Sequence, residues 1–405
     1  MTTECTVERV EGAQDGAAAS VMISLLSSLA VLADPRKRRG TRYPLLSVLA
    51  VAVLGCMCGC NDAEALEDWG RKEIRWLERF LSFPHGPPTQ DVFLRVLASM
   101  NPEPFREAFL TWIRAVFAAL GIDGQIAVDG QTNRGSRDRG AKRNPVHMVS
   151  AFACANGLVI GQTKTDEKSN EIKAIPILLS LLDLQGALVS ADAMGCQTAI
   201  AQQICEAGGD YLFGLKGNQT KLLDETKAVF EAAQQPPSHN IDEVRPPEVA
   251  EATTVDKGHG RLETRTARTI VDFGDWVPSA PRFASLTTLI EIESTREELL
   301  TGKTTCETRY YVSSRLLSPE QALAAVRSHW GIENNLHWCL DVTFGQDGNR
   351  TRTRNAAENL AVIRHFAINL LRRYTGDQKS LPRRRRLCDY NIDYREALLG
   401  IAAVA

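Results

Sequence analysis

Near residue 120 the apolar side chains change their spacing, and that change divides the chain into two architectures. Up to that point the period is helical. Apolar residues recur at helical spacing from Val21 to Val31, 45–60 is a continuous apolar run, and 63–81 is amphipathic. Pro84, Pro87 and Pro88 mark a loop, Thr89 or Asp91 can cap a helix running to about Ser99, and 102–120 is helical again. Residues 19–120 therefore read as an all-helical N-terminal domain. From Gly121 the texture is that of strands. Residues 126–130 form a short apolar strand, and 147–154 and 158–165 are two more, joined by Asn156-Gly157, a strong hairpin signal. Then come a helix (169–182), a strand (187–191), a helix (197–206) and a strand (211–215). A hairpin followed by strand–helix alternation predicts an α/β fold, a mixed sheet with helices on its faces.

This order of elements is that of ribonuclease-H-like nucleases, and residues 121–375 are expected to form such a core. Residues 220–317 interrupt it. They contain a Pro-rich loop (234–247) and strand-like runs at 264–271, 285–294 and 304–314. They are expected to form a mainly β insertion outside the core sheet. Ser318-Pro319-Glu320 then opens a helix predicted to reach Cys339 or Leu340, with Ser as N-cap, Pro at the first helical position and an acid in the first turn. Residues 1–18 lack periodicity and read as a disordered tail, and 376–405 as a basic C-terminal tail.

The net charge is −2, but it is unevenly spread. From Arg350 to Arg386 there are ten Arg and one Lys against Glu358 and Asp377, a local net of +9. The first twenty residues hold Glu4, Glu8, Glu11 and Asp15 against Arg9. A basic face on a near-neutral protein points to a polyanionic partner. The acidic start does not suit a secretory signal, so the ten Cys are expected to be reduced thiols in the cytoplasm. The spacing of Cys56, Cys58 and Cys60 does not suit a zinc pair, and buried structural cysteines are expected. The apolar run 45–60 is shorter than the roughly 20 residues a bilayer needs, so it reads as a core helix of a soluble protein.

Three acids stand where metal-dependent phosphodiester chemistry wants them. Carboxylates at the carboxyl ends of strands project into a crevice, and two Mg²⁺ ions about 3.5–4 Å apart need convergent oxygens. Asp129 ends the first strand and Asp192 follows the fourth. Glu333 lies in the later helix, where Trp330, Glu333, Leu336 and His337 share a face. A carboxylate on that otherwise apolar face would be costly to bury without a metal. Taken singly, each Asp also suits a cap or turn, and Glu333 also suits a surface acid.

Longer blocks carry a resemblance. They include Asp34-Pro35-Arg36, Arg42-Tyr43-Pro44-Leu45, Phe93-Leu94-Arg95-Val96-Leu97, Ala127-Val128-Asp129-Gly130, Lys168-Ser169-Asn170-Glu171-Ile172, Asp192-Ala193-Met194-Gly195-Cys196-Gln197, Lys216-Gly217-Asn218-Gln219 and His329-Trp330-Gly331-Ile332-Glu333-Asn334. From about Leu32 to Tyr374 the chain resembles the insertion-sequence transposases known as H-repeat-associated proteins. The resemblance implies a DDE triad at Asp129, Asp192 and Glu333, and a β-rich insertion before the Glu-bearing helix. Two positions depart from the family pattern: Gln131 stands where Lys is usual, and Gln346 where an acid is usual.

The implied function is that of a DNA transposase. It would perform Mg²⁺-dependent hydrolysis at transposon ends, then attack by the freed 3′-hydroxyl on target DNA, with Mn²⁺ as a substitute metal. The rival readings are a metal-dependent nuclease without strand transfer, which would use the same acids, and an inert transposase-derived DNA-binding protein. The partner is double-stranded DNA, bound by a homo-oligomer, with no membrane involved. For phosphate contact the candidates are Arg134, Lys142, Arg143, Lys216, Gln219, Arg350, Arg352 and Arg354. A solvated charge run also fits the loop around Arg134, Arg137, Arg139, Lys142 and Arg143, and solvated loop residues fit Lys216 and Gln219. In the C-terminal segment, Ala356, Leu360, Ile363, Ala367 and Leu371 form an apolar stripe. The arginines off that stripe, with Arg383–Arg386, are expected to be free for phosphate. His329 and His337 fit either positioning roles or a packed core.

Overall fold

The computed structural model describes residues 21–37, 41–120, 124–165, 171–235, 247–258 and 260–401. The tail expected at 1–18 and most of the Pro-rich loop lie outside them. Before Gln125 the described residues form helices: α1 (Val21–Ala30), α2 (Leu45–Met57), α3 (Ala63–Lys72), the single turn α4 (Ile74–Leu77), α5 (Gln90–Ser99) and α6 (Pro102–Leu120). Helix α2 is apolar all round and buried along nearly its whole length, so it must be wrapped on every side. Part of that wrapping comes from the other end of the chain. Helix α11 (Ala356–Arg373), buried from Ala356 to Leu371, packs on α2, α5 and α6. One continuous apolar cluster runs from Val21 through the sheet to Leu399, so the helical region does not close a core of its own.

The sheet has nine strands. In chain order they are β1 (Gln125–Asn133), β2 (Val146–Ala153), β3 (Leu158–Thr165), β4 (Leu188–Ala191), β5 (Asp210–Leu215), β6 (Ala250–Gly258), β7 (Arg261–Ile270), β8 (Thr288–Glu298) and β9 (Thr304–Ser313), and they lie side by side as β3-β2-β1-β4-β5-β9-β8-β7-β6. The hairpin β2–β3 is antiparallel, as is β1–β2, whereas β1, β4 and β5 run parallel. Helices α7 (Glu171–Leu179) and α8 (Thr198–Glu206) connect the parallel strands. The alternation expected from the sequence is therefore present as a mixed α/β fold.

The insertion differs from expectation in two ways. It opens with a helix, α9 (Thr220–Ala233), whose buried Leu222, Thr226, Val229 and Phe230 have helical spacing. Its strands also do not lie outside the core sheet. β9 pairs antiparallel with β5, Leu212 opposite Ser313 through Leu215 opposite Tyr310, and β8, β7 and β6 add outward from there. An unpaired β5 edge would leave a row of backbone donors and acceptors unsatisfied, and β9 covers it.

The C-terminal segment is not a free basic tail. It forms α12 (Leu381–Tyr390) and α13 (Ile392–Leu399), and Arg384, Arg385 and Arg395 are buried. Arg385 donates to the carbonyls of Cys56 (3.0 Å) and Cys60 (3.2 Å), to Asn61 Oδ1 (2.7 Å) and to the Thr343 carbonyl. Those Cys carbonyls lie at and just beyond the end of α2, where helical carbonyls run short of partners; that of Cys56 otherwise has the Gly59 N–H at 3.4 Å. Arg384 donates to the carbonyls of Leu371 (2.6 Å) and Tyr374 (2.7 Å) at the end of α11. Arg395 pairs with buried Glu73 at 2.5 Å and lies over the Trp76 ring, 4.2 Å from its centroid. Within the Arg383–Arg386 run only Arg383 and Arg386 face solvent.

Arg385→Ala would strand several buried carbonyls and is expected to cost about 3 kcal/mol or more. Arg386→Ala should change stability by less than about 0.5 kcal/mol. Urea denaturation of the two variants checks this, and equal losses would contradict the anchoring role.

Candidate active site

Strand β1 overhangs β4. Their parallel pairing ends at Val128 opposite Ala191, while β1 continues to Asn133 alongside β2 alone. The next residue on each strand is an acid. Asp129 is thus inside β1 rather than at its end, and Asp192 follows β4 directly. Neighbouring strands lie about 4.8 Å apart, so the register delivers both acids to one place. Asp192 accepts the Met194 N–H at 2.9 Å and so caps the short turn Ala193–Gly195. That loop is gripped from β5: Asn218 donates to the Ala193 carbonyl (2.6 Å) and Gln219 to the Cys196 carbonyl (2.9 Å). The Gln219 amide thus gives one of its hydrogens to the Asp192 loop, and Lys216 is exposed.

Glu333 reaches the same place from the opposite direction. Ser318 caps α10 (Pro319–His329) through a reciprocal box with Gln321, but α10 ends before Glu333. The chain continues as π-helical turns, Ile332–His337 and Cys339–Thr343. Such turns are rare and recur at functional sites. The face expected to be apolar is half solvent-facing: Leu336 and His337 are buried, but Trp330 is exposed and so is the Glu333 side chain. The burial cost falls on Asp129 instead.

His337 joins the two carboxylates. Its Nδ1 lies 2.9 Å from Glu333 Oε2 and 3.5 Å from Asp129 Oδ2. One ligand atom each from Asp129, Glu333 and His337 lie within 4.8 Å of one another. The Asp129 carboxyl is raised to about 6, chiefly by burial, with Asp192 and Glu171 acting the same way and His337 and the Gly130 N–H opposing them. The bond to His337 holds Glu333 below the usual carboxylate range. His329 is different. Burial lowers it to about 4, so it is neutral at pH 7, with Nδ1 3.0 Å from Ser190 Oγ. It packs beside Asp192, whose charge acts on it.

Asp129, Glu333 and His337 thus meet, and Asp192 lies near enough for its charge to act on Asp129 but outside the set of ligand atoms within 4.8 Å of one another; the donors are mostly carboxylate oxygens around one partly buried acid. That set suits a hard divalent cation. Gln131, where the family pattern has Lys, faces the π-helical segment. It donates to the His337 carbonyl at 3.2 Å and to Asp341, tying β1 to the π-helical segment. Two residues to which the sequence alone assigns no role, His147 and Glu171, are buried behind the site, 2.6 Å apart. An acid in the first turn of a helix suits the helix dipole anywhere, so Glu171 carries no distinctive signal in sequence.

The two basic stretches also meet. The Arg134–Ser136 turn presses on 347–349 so closely that a Cβ on Gly135 would stand 2.3 Å from the Asn349 carbonyl oxygen. Arg352 Nε donates to the Gly135 carbonyl (3.1 Å), which commits part of that side chain to the contact. Arg134, Lys142, Arg143, Arg350 and Arg354 are exposed. Arg143 lies 3.3 Å from Asp138.

Residues 121–370 match the family described as Transposase DDE domain, and residues 26–113 match the one described as DDE_Tnp_1-associated. The chain belongs to the DDE transposase family. Among its relatives, the H repeat-associated protein YhhI of Escherichia coli (strain K12) is 35% identical over 379 residues, 93% of this chain and 97% of that protein. A protein in the dhlA 3′ region of Xanthobacter autotrophicus is 39% identical over 292 residues, 71% of this chain and 94% of that one. Among solved structures, the piggyBac transposase synaptic complex with hairpin DNA aligns at a TM-score of 0.45 and 11% identity, over 100% of this chain and 82% of that chain. That superposition is too loose to transfer residues. Among the described residues no helix is long and apolar enough to cross a membrane.

The raised Asp129 pKa has a measurable consequence in metal-free buffer. Below about pH 4 the group is protonated whether folded or unfolded, and no penalty applies. As pH rises from 3.8 through about 6 the folded state increasingly pays for ionising a partly buried acid. Asp129→Asn is therefore expected to stabilise the fold at pH 8 by about 2–3 kcal/mol more than at pH 4. Denaturation at the two pH values checks this, and a pH-independent effect would contradict it.

Proposed function

We propose that the protein is a catalytically competent transposase. It cleaves phosphodiester bonds at transposon ends in the presence of Mg²⁺ and joins the freed 3′-hydroxyl to target DNA. The observation carrying this reading is the cluster of Asp129 with Glu333 and His337, beside which the adjacent parallel strand β4 delivers Asp192. On this reading the sheet β3-β2-β1-β4-β5 with its helices is a ribonuclease-H-like core, and Asp129, Asp192 and Glu333 hold the metal. A bound divalent cation supplies charge stabilisation for the phosphate and lowers the pKa of an attacking water or hydroxyl. The chain's own residues do the positioning. Asn218 and Gln219 fix the Asp192 loop, β2 fixes Asp129 while β4 fixes the strand up to Val128, and His337, with its proton on Nδ1, orients Glu333. Mg²⁺ prefers oxygen ligands, so His337 acts as the orienting group, and Mn²⁺ can substitute.

DNA lies across the joined loops at Arg134 and Arg350, with Lys142, Arg143, Lys216, Arg352 and Arg354 as further phosphate contacts. The active species on DNA is a homo-oligomer, and the protein works in the cytoplasm. The exposed side chains in the two joined loops support this assignment, whereas the buried Arg384 and Arg385 take no part.

A labelled duplex carrying the element's own end, incubated with Mg²⁺ and a plasmid target, tests the reading. Wild type should cut the end and join it to the plasmid. Asp129→Asn, Asp192→Asn and Glu333→Gln should each lose more than about 100-fold in cleavage, at least the loss seen for groups one shell further from a metal. Cleavage without joining would indicate a nuclease, and binding without cleavage an inert DNA-binding protein. In the same system, Arg134→Ala and Arg350→Ala should each make the slope of log affinity against log salt shallower by about 0.9.

A further inference from the structure

The proposed triad leaves one buried acid unused. Glu171 opens α7 and is 4% exposed, an expensive position for a carboxylate. Its Oε1 lies 2.6 Å from Nε2 of His147, which is 2% exposed. The other ring nitrogen of His147 lies 2.7 Å from Thr132 Oγ1, and the two residues are register partners across β1 and β2. With the Thr132 hydroxyl donating to Nδ1, the imidazole carries its proton on Nε2 and donates it to Glu171.

This pair presses on the backbone next to Asp129. A Cβ on Gly130 would stand 2.5 Å from Glu171 Oε1 and 2.6 Å from His147 Nε2, so the pair fits only because residue 130 has no side chain. On its other side Gly130 donates its N–H to Asp129 Oδ1 at 2.8 Å. The sequence Glu171–His147, then Gly130, then Asp129 is thus a contiguous set of contacts from α7 to the site.

We infer that Glu171 is a positioning residue of the metal site: through His147 it fixes the β1 backbone at Gly130 and so the Asp129 carboxylate, and its buried negative charge strengthens cation binding without touching the cation. This rests on the metal-site reading above. Groups one shell out from a metal commonly change its affinity by about 10–100-fold.

Mn²⁺ alone is the probe, titrated into the full-length protein and followed by the electron paramagnetic resonance signal of the free ion. Glu171→Gln keeps an oxygen to accept from His147 and removes the charge. It is expected to bind Mn²⁺ on the order of tenfold more weakly than wild type, with an unchanged or higher Tm in metal-free buffer. Glu171→Asp keeps the charge but shortens the reach to His147. It should weaken binding by a smaller factor, and it carries the test if Glu171→Gln does not fold. Asp129→Asn separates the two readings. If Mn²⁺ binding is lost in Asp129→Asn but stays within about twofold of wild type in both Glu171 variants, well below that range, the role of Glu171 is overturned and the metal site stands. If Mn²⁺ binds wild type and Asp129→Asn alike, the metal site falls and this inference with it.

Discussion

A partly buried carboxylate set among other acids is the constraint on which this structure turns. Asp129 lies on a central strand, with Asp192 acting on it from β4, Glu171 from behind, and Glu333 facing it across His337. Negative groups gathered this way repel one another and lose hydration, so only a rigid frame keeps them together in the absence of a cation. The frame is a sheet with β1 at its interior, paired on both sides up to the acid and on one side beyond it. The overhang lets the side chain reach open space while its backbone stays in the ladder.

The insertion serves the same end. The chain leaves the core after β5 and re-enters beside its own exit, because β9 pairs with β5. It then passes directly into α10, which packs on β1 and β7. The residues between β5 and β9 can therefore vary in length without moving Glu333, provided that β9 still finds the β5 edge. This is how an acid 141 positions after Asp192 in the chain arrives at the same site.

The strand–helix alternation from β1 to β5 was legible because period and turn chemistry agree there, down to the Asn156-Gly157 hairpin. The nearness of Asp129 and Asp192 at the ends of paired strands followed from the same order of elements. What was not legible depends on partners distant in sequence. Nothing local to Leu212 or Phe213 indicates that β9 will cover that edge. Nothing in Arg383-Arg384-Arg385-Arg386 separates the two that face solvent from the two that satisfy carbonyls around the ends of α2 and α11. Glu333 was placed correctly for the wrong reason, since the side chain that is hard to bury is Asp129. The two departures from the family pattern also read differently in three dimensions. Gln131 bonds to Asp341, Gln346 lies 3.4 Å from the buried Arg364, and Asp341 acts on that arginine. Replacing a lysine and an acid in one interior by two amides leaves its net charge unchanged, so neither glutamine by itself marks a decayed site.

Because α11 to α13 complete the packing around α2, the order of synthesis matters. Helices α1 to α6 leave the ribosome well before α11 to α13, so the apolar surface of α2 stays incompletely covered until those later helices follow. Domains that close early can fold while translation continues. The layer around α2 cannot close until α11 to α13 emerge, so a product truncated before Ala356 exposes this strongly hydrophobic helix.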